Sequence, residues 1–124
     1  MSTILLVEDD PDIRQLVSFK LVRAGLRVVE AADGLSALDA ARRHSPDLVI
    51  LDVRMPRMSG LEVCRELRAG PLPTEVPIIM LTARARPQDL EQAYAAGATD
   101  YVVKPFSPRA LLERVQSALL QVGR

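Results

Sequence analysis

Residues 48–52 read LVILD, and this short run decides the fold. Four apolar residues in succession are typical of a strand that is covered on both faces, as in a parallel sheet. Further runs at 4–7, 76–81 and 101–103, and a less apolar one at 26–31, also predict strands. Helical patterns separate all of these runs, so strand and helix alternate along the whole chain.

Apolar residues repeat at helical spacing between the predicted strands. The predicted helices cover about 11–24, 35–43, 61–69, 87–96 and a last segment from 108 onwards. We expect Leu16 and Leu21 of the first helix and Leu35 of the second to face the sheet. Five strands and five helices in alternation predict an α/β fold. Right-handed crossovers leave few arrangements, and we expect a doubly wound, flavodoxin-like parallel sheet with strand order 2-1-3-4-5.

Length and composition exclude several classes of protein. The 124 residues fit a single domain over 1–124, and an apolar fraction of 48% is enough to form a core. Lys and Arg together number 16, as do Asp and Glu. The chain therefore lacks the excess of basic charge that would predict direct nucleic-acid binding. The only cysteine, Cys64, excludes a disulfide framework. The sequence shows neither a basic leader nor an apolar stretch of about 20 residues. We therefore expect a cytoplasmic protein that does not enter a membrane.

Reactive side chains stand where the predicted strands end. Glu8 and Asp9 follow the first strand, Asp52 the third, Thr82 the fourth and Lys104 the fifth. In the expected order the first and third strands are neighbours, so their carboxylates converge at one edge of the sheet. Two such charges 4 Å apart repel by about 4 kcal/mol at an effective dielectric constant near 20. The cluster therefore calls for cations.

The chemistry of these groups indicates phosphoryl transfer. Oxygen ligands suit Mg²⁺ or Mn²⁺, and Mg²⁺ keeps open positions for phosphate oxygens. The hydroxyl of Thr82 and the ammonium of Lys104 would add contacts to a phosphoryl group. One of the carboxylates could then act as the nucleophile and form an aspartyl phosphate.

Five short motifs in this order resemble those of response regulator receiver domains, the phosphorylated modules of two-component signalling. They are VEDDP at 7–11, LDVRMP at 51–56, SG at 59–60, LTA at 81–83 and KPF at 104–106. The resemblance extends from residue 4 to about residue 120. Each motif alone is a weak signal, but the set is specific because every member lies on the appropriate element.

The resemblance implies a role for each acidic residue. Asp52 matches the phospho-acceptor, and Asp9 matches the residue that binds Mg²⁺ directly. Glu8 matches its partner, which usually acts through water, and the main-chain carbonyl of Arg54 matches the third protein ligand. Asp10, which precedes Pro11, is interpreted as a helix cap and not as a ligand.

The resemblance also implies a switch. Thr82 and Lys104 match the residues that contact phosphoryl oxygens, and Tyr101 matches the aromatic side chain that follows the switch. The bond between Lys104 and Pro105 is usually cis in the family. Phosphorylation is then expected to change the face formed by the fourth helix, the fifth strand and the fifth helix. This describes a signalling switch and not an enzyme acting on other molecules.

The partners implied are a histidine kinase or phosphotransfer protein and a downstream effector domain or protein. A phosphorylation-dependent homodimer through a charged face is a further expectation. Asp100 and Arg114 match the pattern of that face. Uncharged residues stand where charged ones are usual at Ala110, Gln116 and Gln121.

Three other functions stay open at this point. A Mg²⁺-dependent phosphohydrolase would also form an aspartyl phosphate, but it needs a second aspartate two residues after the nucleophile, where Arg54 stands. A flavin- or nucleotide-binding domain would need a glycine- or hydroxyl-rich loop after the first strand, where Glu8 and Asp9 would repel a phosphate. The third is a receiver-like interaction domain that is never phosphorylated.

Overall fold

Residues 1–122, the part of the chain that the computed structural model describes, form five strands and five helices. Gly123 and Arg124, the end of the predicted domain, lie outside the described residues. The strands are β1 (Thr3–Val7), β2 (Arg27–Ala31), β3 (Leu48–Asp52), β4 (Ile78–Thr82) and β5 (Asp100–Val103). The helices are α1 (Pro11–Arg23), α2 (Gly34–His44), α3 (Gly60–Ala69), α4 (Pro87–Ala96) and α5 (Pro108–Val122).

The strands pair in parallel in the order β2-β1-β3-β4-β5, which confirms the predicted doubly wound sheet. Val7 of β1 lies opposite Leu51 of β3, so the residues that follow each of them leave the sheet at the same level. β1, β3 and β4 are central strands, and β2 and β5 form the edges. Because all the strands are parallel, their carboxyl ends lie together at one end of the sheet.

The sheet separates two apolar cores. Successive residues of a strand point to opposite faces, so each central strand serves both cores. Leu5 and Leu51 lie in the core covered by α2, α3 and α4, whereas Leu6 and Ile50 lie in the core covered by α1 and α5. Each of these four side chains is at most 1% exposed to solvent. Burial of each contributes about 2 kcal/mol, and it makes the central strands a rigid base for the loops at their ends.

Two helix caps hold the loops that follow β1 and β3. Asp10 Oδ1 accepts a hydrogen bond from the backbone N–H of Asp12 at 2.9 Å, which confirms Asp10 as the cap of α1. Ser59 and Glu62 form a capping box at the start of α3, with Glu62 Oε1 accepting from the N–H of Ser59 at 2.9 Å. The loops that carry Asp9 and Arg54 are therefore anchored at both ends.

Three details of the sequence prediction were wrong. Leu16 is 55% exposed and Leu35 is 76% exposed, so neither faces the sheet. On α1 the buried stripe narrows to Val17 and Leu21, and position 16 is rotated about 100° away from it. β4 begins at Ile78 and not at residue 76, because the proline at position 77 has no N–H to donate to the ladder.

A membrane span needs about 20 mostly apolar residues. Within residues 1–122 no helix combines that length with enough apolar side chains to cross a bilayer.

The guanidinium of Arg68 joins three segments near the amino-terminal end of β4. Its Nε donates to the carbonyl of Gly97 at 2.9 Å, and Nη1 donates to the two carbonyls of residues 73–74 at 3.1 and 3.2 Å. Nη2 donates to Thr99 Oγ1 at 3.3 Å, and the same oxygen accepts from the N–H of Ile78 at 3.0 Å. One side chain thus ties the end of α3 to the loop before β4 and to the loop after α4.

We predict that Arg68→Ala lowers the free energy of unfolding by about 2 kcal/mol, because the partly buried carbonyl of Gly97 and two exposed carbonyls lose a charged donor. Urea denaturation followed by circular dichroism measures this change. Arg65→Ala is the matched control, since Arg65 is exposed on the same helix, and it should stay within about 0.5 kcal/mol of the wild type. Equal stability of the two variants would contradict the role given to Arg68.

Candidate functional site

Three carboxylates meet where β1 and β3 end. One ligand atom each from Glu8, Asp9 and Asp52 lies within 4.8 Å of the others. Glu8 and Asp52 are only 1% and 3% exposed, whereas Asp9 is exposed. The parallel pairing of β1 with β3 is what brings them together. The acidic residues predicted from the strand ends do converge in this structure.

Lys104 reaches this cluster from the end of β5. Its Nζ lies 3.1 Å from Asp52 Oδ1 and 3.3 Å from Glu8 Oε1. The backbone N–H of Lys104 donates to the carbonyl of Thr82 at 2.7 Å, which holds the residue at the sheet edge. The bond to Pro105 is cis, which confirms that prediction. One ammonium thus faces two buried carboxylates.

Burial and crowding change the protonation of this cluster. Burial, followed by the hydrogen-bonding and charge of Asp52, raises the pKa of Glu8 from 4.5 to about 7. Burial opposes the charge of Lys104, but the adjacent Asp52 and Glu8 carboxylates outweigh it and raise the pKa of the ammonium. The cluster therefore holds more negative charge than Lys104 alone balances when Glu8 is ionised.

The donor set fits a hard divalent cation. Every candidate ligand is an oxygen, and Mg²⁺ is typically bound by one or two carboxylates. Among the described residues no hydrogen bond reaches the buried Oε1 of Glu8, although Lys104 Nζ lies 3.3 Å from it. A buried oxygen with unused acceptor capacity beside two other carboxylates is the arrangement that a cation satisfies.

The loop after β3 keeps Asp52 in place. Asp52 Oδ1 also accepts from the N–H of Arg54 at 3.2 Å, so Lys104 and the loop hold the same oxygen. The N–H of Gly60 donates to the carbonyl of Val53 at 2.8 Å, which closes the loop on itself. A Cβ on Gly60 would lie 2.2 Å from the carbonyl oxygen of Asp52, so α3 can start this close only with glycine there.

Thr82 is turned towards its own loop. Its Oγ1 donates to the carbonyl of Arg84 at 2.7 Å and accepts from the N–H of the same residue at 3.0 Å. Thr82 is 8% exposed at the end of β4, the strand next to the one that ends in Asp52. The hydroxyl is therefore near the acidic cluster in the sheet but is engaged locally.

A cavity of about 170 Å³ lies beside Thr82 and beneath α4. Tyr101 of β5 lines it and is half-buried. The ring of Tyr101 meets the ring of Tyr94 edge to face, with centroids 6.1 Å apart. Its apolar lining includes Leu61, Met80, Leu90 and Ala93, and Arg54, Arg84, Asp89 and Gln92 add polar groups. The cavity connects the surroundings of Thr82 with the face formed by α4, β5 and α5.

Sequence reasoning missed one residue at this site. Arg14, on α1, donates from Nη1 to the carbonyl of Glu8 at 2.7 Å and from Nε to Glu30 Oε1 at 3.1 Å. These contacts join α1, the end of β1 and the edge strand β2. An arginine on the polar side of a predicted helix carries no sign of such a bridge, because its partners are set only by the tertiary fold.

Comparison with known proteins supports the geometry. The family described as response regulator receiver domain matches residues 4–116. Over 121 residues the chain is 43% identical to the "Probable transcriptional regulator ycf27" of Porphyridium aerugineum, which covers 98% of this chain and 49% of that protein. The chain thus spans about half the length of this relative.

Solved structures agree with this match. The chemotaxis protein CheY4 of Vibrio cholerae is similar with a TM-score of 0.91 and 41% identity, covering 95% of this chain and 98% of that one. The receiver domain of the sensor histidine kinase PA1611 of Pseudomonas aeruginosa has a TM-score of 0.86 and 38% identity, covering 95% and 97%. That structure is described with a magnesium ion coordinated in its active-site cleft.

The raised pKa of Glu8 predicts how stability depends on pH without metal. Between the ordinary pKa of 4.5 and about 7, the folded state holds a proton that the unfolded state has lost. This contribution is fully present below pH 4.5 and disappears as the pH rises through 7. Compared with Glu8→Gln, the wild type should therefore lose about 1 kcal/mol of unfolding free energy between pH 6 and pH 8.

Urea denaturation in the presence of a chelator measures this difference. The Glu8→Gln variant is the reference, because it lacks this carboxyl group and keeps every titrating group that does not interact with it. Parallel stability curves for the two proteins over this pH range would show that the pKa of Glu8 is not raised.

Proposed function

Because this chain belongs to the response regulator receiver domain family, whose role is to accept a phosphoryl group in two-component signalling, we propose that Asp52 is its phospho-acceptor. The observation that carries the proposal is the position of the Asp52 carboxylate. It is buried at the end of β3, it lies 3.1 Å from the ammonium of Lys104, and it shares a cluster with Glu8 and Asp9.

Each of these groups has a task in the transfer. A carboxylate oxygen of Asp52 forms a bond to phosphorus as the bond from phosphorus to a histidine nitrogen of the donor breaks, and the released imidazole keeps the electron pair. Lys104 neutralises part of the charge on the phosphoryl oxygens. Mg²⁺ bound by Glu8, Asp9, Asp52 and the carbonyl of Arg54 would supply further charge neutralisation. Mn²⁺ suits the same oxygen ligands.

Thr82 and Tyr101 form the switch in this proposal. The hydroxyl of Thr82 has both of its hydrogen bonds within its own loop, so turning towards new phosphoryl oxygens exchanges two local bonds. The cavity lined by Thr82 and Tyr101 has room for the ring to turn inward. The face formed by α4, β5 and α5 then differs between the two states, and partners read that difference as a population shift.

The proposed partners are a histidine kinase or phosphotransfer protein upstream and an effector downstream. A relative that is about twice as long is called a transcriptional regulator, so we propose that the output is control of transcription through a further domain or protein. A cytoplasmic location follows from the same proposal.

A phosphorylation-dependent homodimer would use the face formed by α4, β5 and α5. In this chain Arg114 Nε donates to Asp100 Oδ2 at 2.8 Å, so the two residues that match the charged pattern of that face are paired with each other. A dimer that pairs them across an interface has to replace this internal ion pair. Ala110, Gln116 and Gln121 supply no further charges there.

The proposal predicts that the protein gains the mass of one phosphoryl group when it is incubated with Mg²⁺ and a small phosphoryl donor. Intact mass spectrometry measures the product. Asp52→Asn should gain nothing, because an amide oxygen is a poor nucleophile, and a chelator should abolish the gain in the wild type.

Asp47→Asn is the control variant, since this aspartate precedes β3 and lies outside the acidic cluster. It should be phosphorylated like the wild type. Phosphorylation of Asp52→Asn to the wild-type extent would overturn the assignment. Steady turnover of small phosphate esters by the wild type would instead favour a phosphohydrolase. If the wild type shows no adduct, a beryllofluoride titration separates a short lifetime from an interaction domain that takes no phosphate.

A second prediction concerns the switch. Thr82→Ala should still bind beryllofluoride with Mg²⁺, but the amide chemical shifts of α4 and β5 should change by less than half as much as in the wild type. The reason is that the variant lacks the hydroxyl that couples the site to the cavity. Thr74→Ala, at an exposed position before β4, should respond fully. A full response of Thr82→Ala would rule out this coupling.

A further inference from the structure

Arg14 holds the main chain on both sides of Asp9. Its Nη1 donates to the carbonyl of Glu8 at 2.7 Å, and its backbone N–H donates to the carbonyl of Asp10 at 3.0 Å. The carbonyl of Glu8 belongs to the peptide unit that also contains the N–H of Asp9. Fixing this carbonyl therefore fixes the plane of the peptide from which Asp9 emerges.

The guanidinium is itself anchored on the edge strand. Nε donates to Glu30 Oε1 at 3.1 Å, while the other end of the fork reaches Glu8. The side chain of Arg14 is 21% exposed and that of Glu30 is 44% exposed. A guanidinium presents its N–H groups in a rigid plane, so it can serve both acceptors at once. A lysine could reach either of them but does not have this geometry.

The neighbours of Asp9 are already held by other bonds. The N–H of Glu8 donates to the carbonyl of Ala31 at 3.1 Å, and Glu8 Oε2 accepts from the N–H of Asp10 at 3.2 Å. By contrast, within residues 1–122 no hydrogen bond holds the exposed carboxylate of Asp9. The direction of that carboxylate therefore depends on the main chain, in which the side chain of Arg14 holds the Glu8–Asp9 peptide and that of Glu8 holds the N–H of Asp10.

We propose that Arg14 is a positioning residue for the divalent cation: it orients the Asp9 carboxylate through the Glu8–Asp9 peptide and does not touch the ion. The inference rests on the proposed function, in which Asp9 is a ligand. Groups that orient the ligands of a metal site typically change its affinity 10- to 100-fold when they are removed.

The sign of the effect separates positioning from simple electrostatics. Arg14→Gln removes a positive charge near the acidic cluster. The loss of its repulsion on Mg²⁺ would by itself make the ion bind more tightly. If the contacts of the Arg14 guanidinium orient Asp9, their loss predicts the opposite, namely that Mg²⁺ binds about 10-fold more weakly. The direction of the change therefore decides between the two explanations.

The experiment is isothermal titration of the unphosphorylated protein with Mg²⁺ alone, at protein concentrations and temperatures where urea curves show every variant to be folded. Arg14→Gln should bind about 10-fold more weakly than the wild type, and Arg14→Lys should fall between the two because it keeps one contact. Arg43→Gln is the matched control, since Arg43 is an exposed arginine paired with Asp39 on α2. It should bind like the wild type.

The outcomes are distinct. Equal or tighter binding of Mg²⁺ by Arg14→Gln would overturn the inference while leaving the proposed function intact. If Arg14→Gln does not fold, Arg14→Lys takes its place, and wild-type affinity in that variant overturns the inference too. A wild type that binds no Mg²⁺ would instead refute the proposed metal site, on which the inference depends.

Discussion

The repulsion between carboxylates that β1 and β3 bring together is the constraint on which the rest of the site depends. Val7 and Leu51 are paired in register, so Glu8 and Asp52 have no freedom to move apart without breaking the central part of the sheet. Burial makes the repulsion stronger, since water is not available to screen it. The site therefore needs cations, one of which is the ammonium of Lys104, and the same need fits the divalent ion proposed to bind there.

The loops at the amino-terminal ends of the strands and those at the carboxyl ends differ in how they are held. At the amino-terminal edge Arg68 ties three segments together through charged hydrogen bonds. At the carboxyl edge the hydroxyl of Thr82 is held only within its own loop, and a cavity lies under α4. The end of α4 that leads to Gly97 is thus secured, while its beginning lies over open space beside the site. In the proposed switch, this difference would direct a change at Asp52 towards the face formed by α4, β5 and α5.

Most of the fold and the convergence of the acidic residues could be predicted from the sequence, because both follow from the order of strands and from what stands at their ends. The exposure of Leu16 and Leu35 could not be predicted, because helical spacing allows a wider apolar stripe than the sheet covers. Arg14 and Arg68 were missed for a different reason. Arg68 meets Gly97, 29 residues away in sequence, and Arg14 meets Glu30 after 16, so both contacts exist only once the sheet has formed.

The contact of Gly60 with the backbone of Asp52 has a consequence for how this domain can be engineered. The two ends of the loop at 54–59 are bonded to each other through Val53 and Gly60, so the loop is a closed segment. Its interior is tied to the rest of the domain, because Met55 is buried in the core covered by α2, α3 and α4 and the N–H of Arg54 donates to Asp52 Oδ1. A loop exchanged between domains therefore has to keep an apolar residue at position 55 and a backbone N–H at position 54, with the glycine as its fixed border.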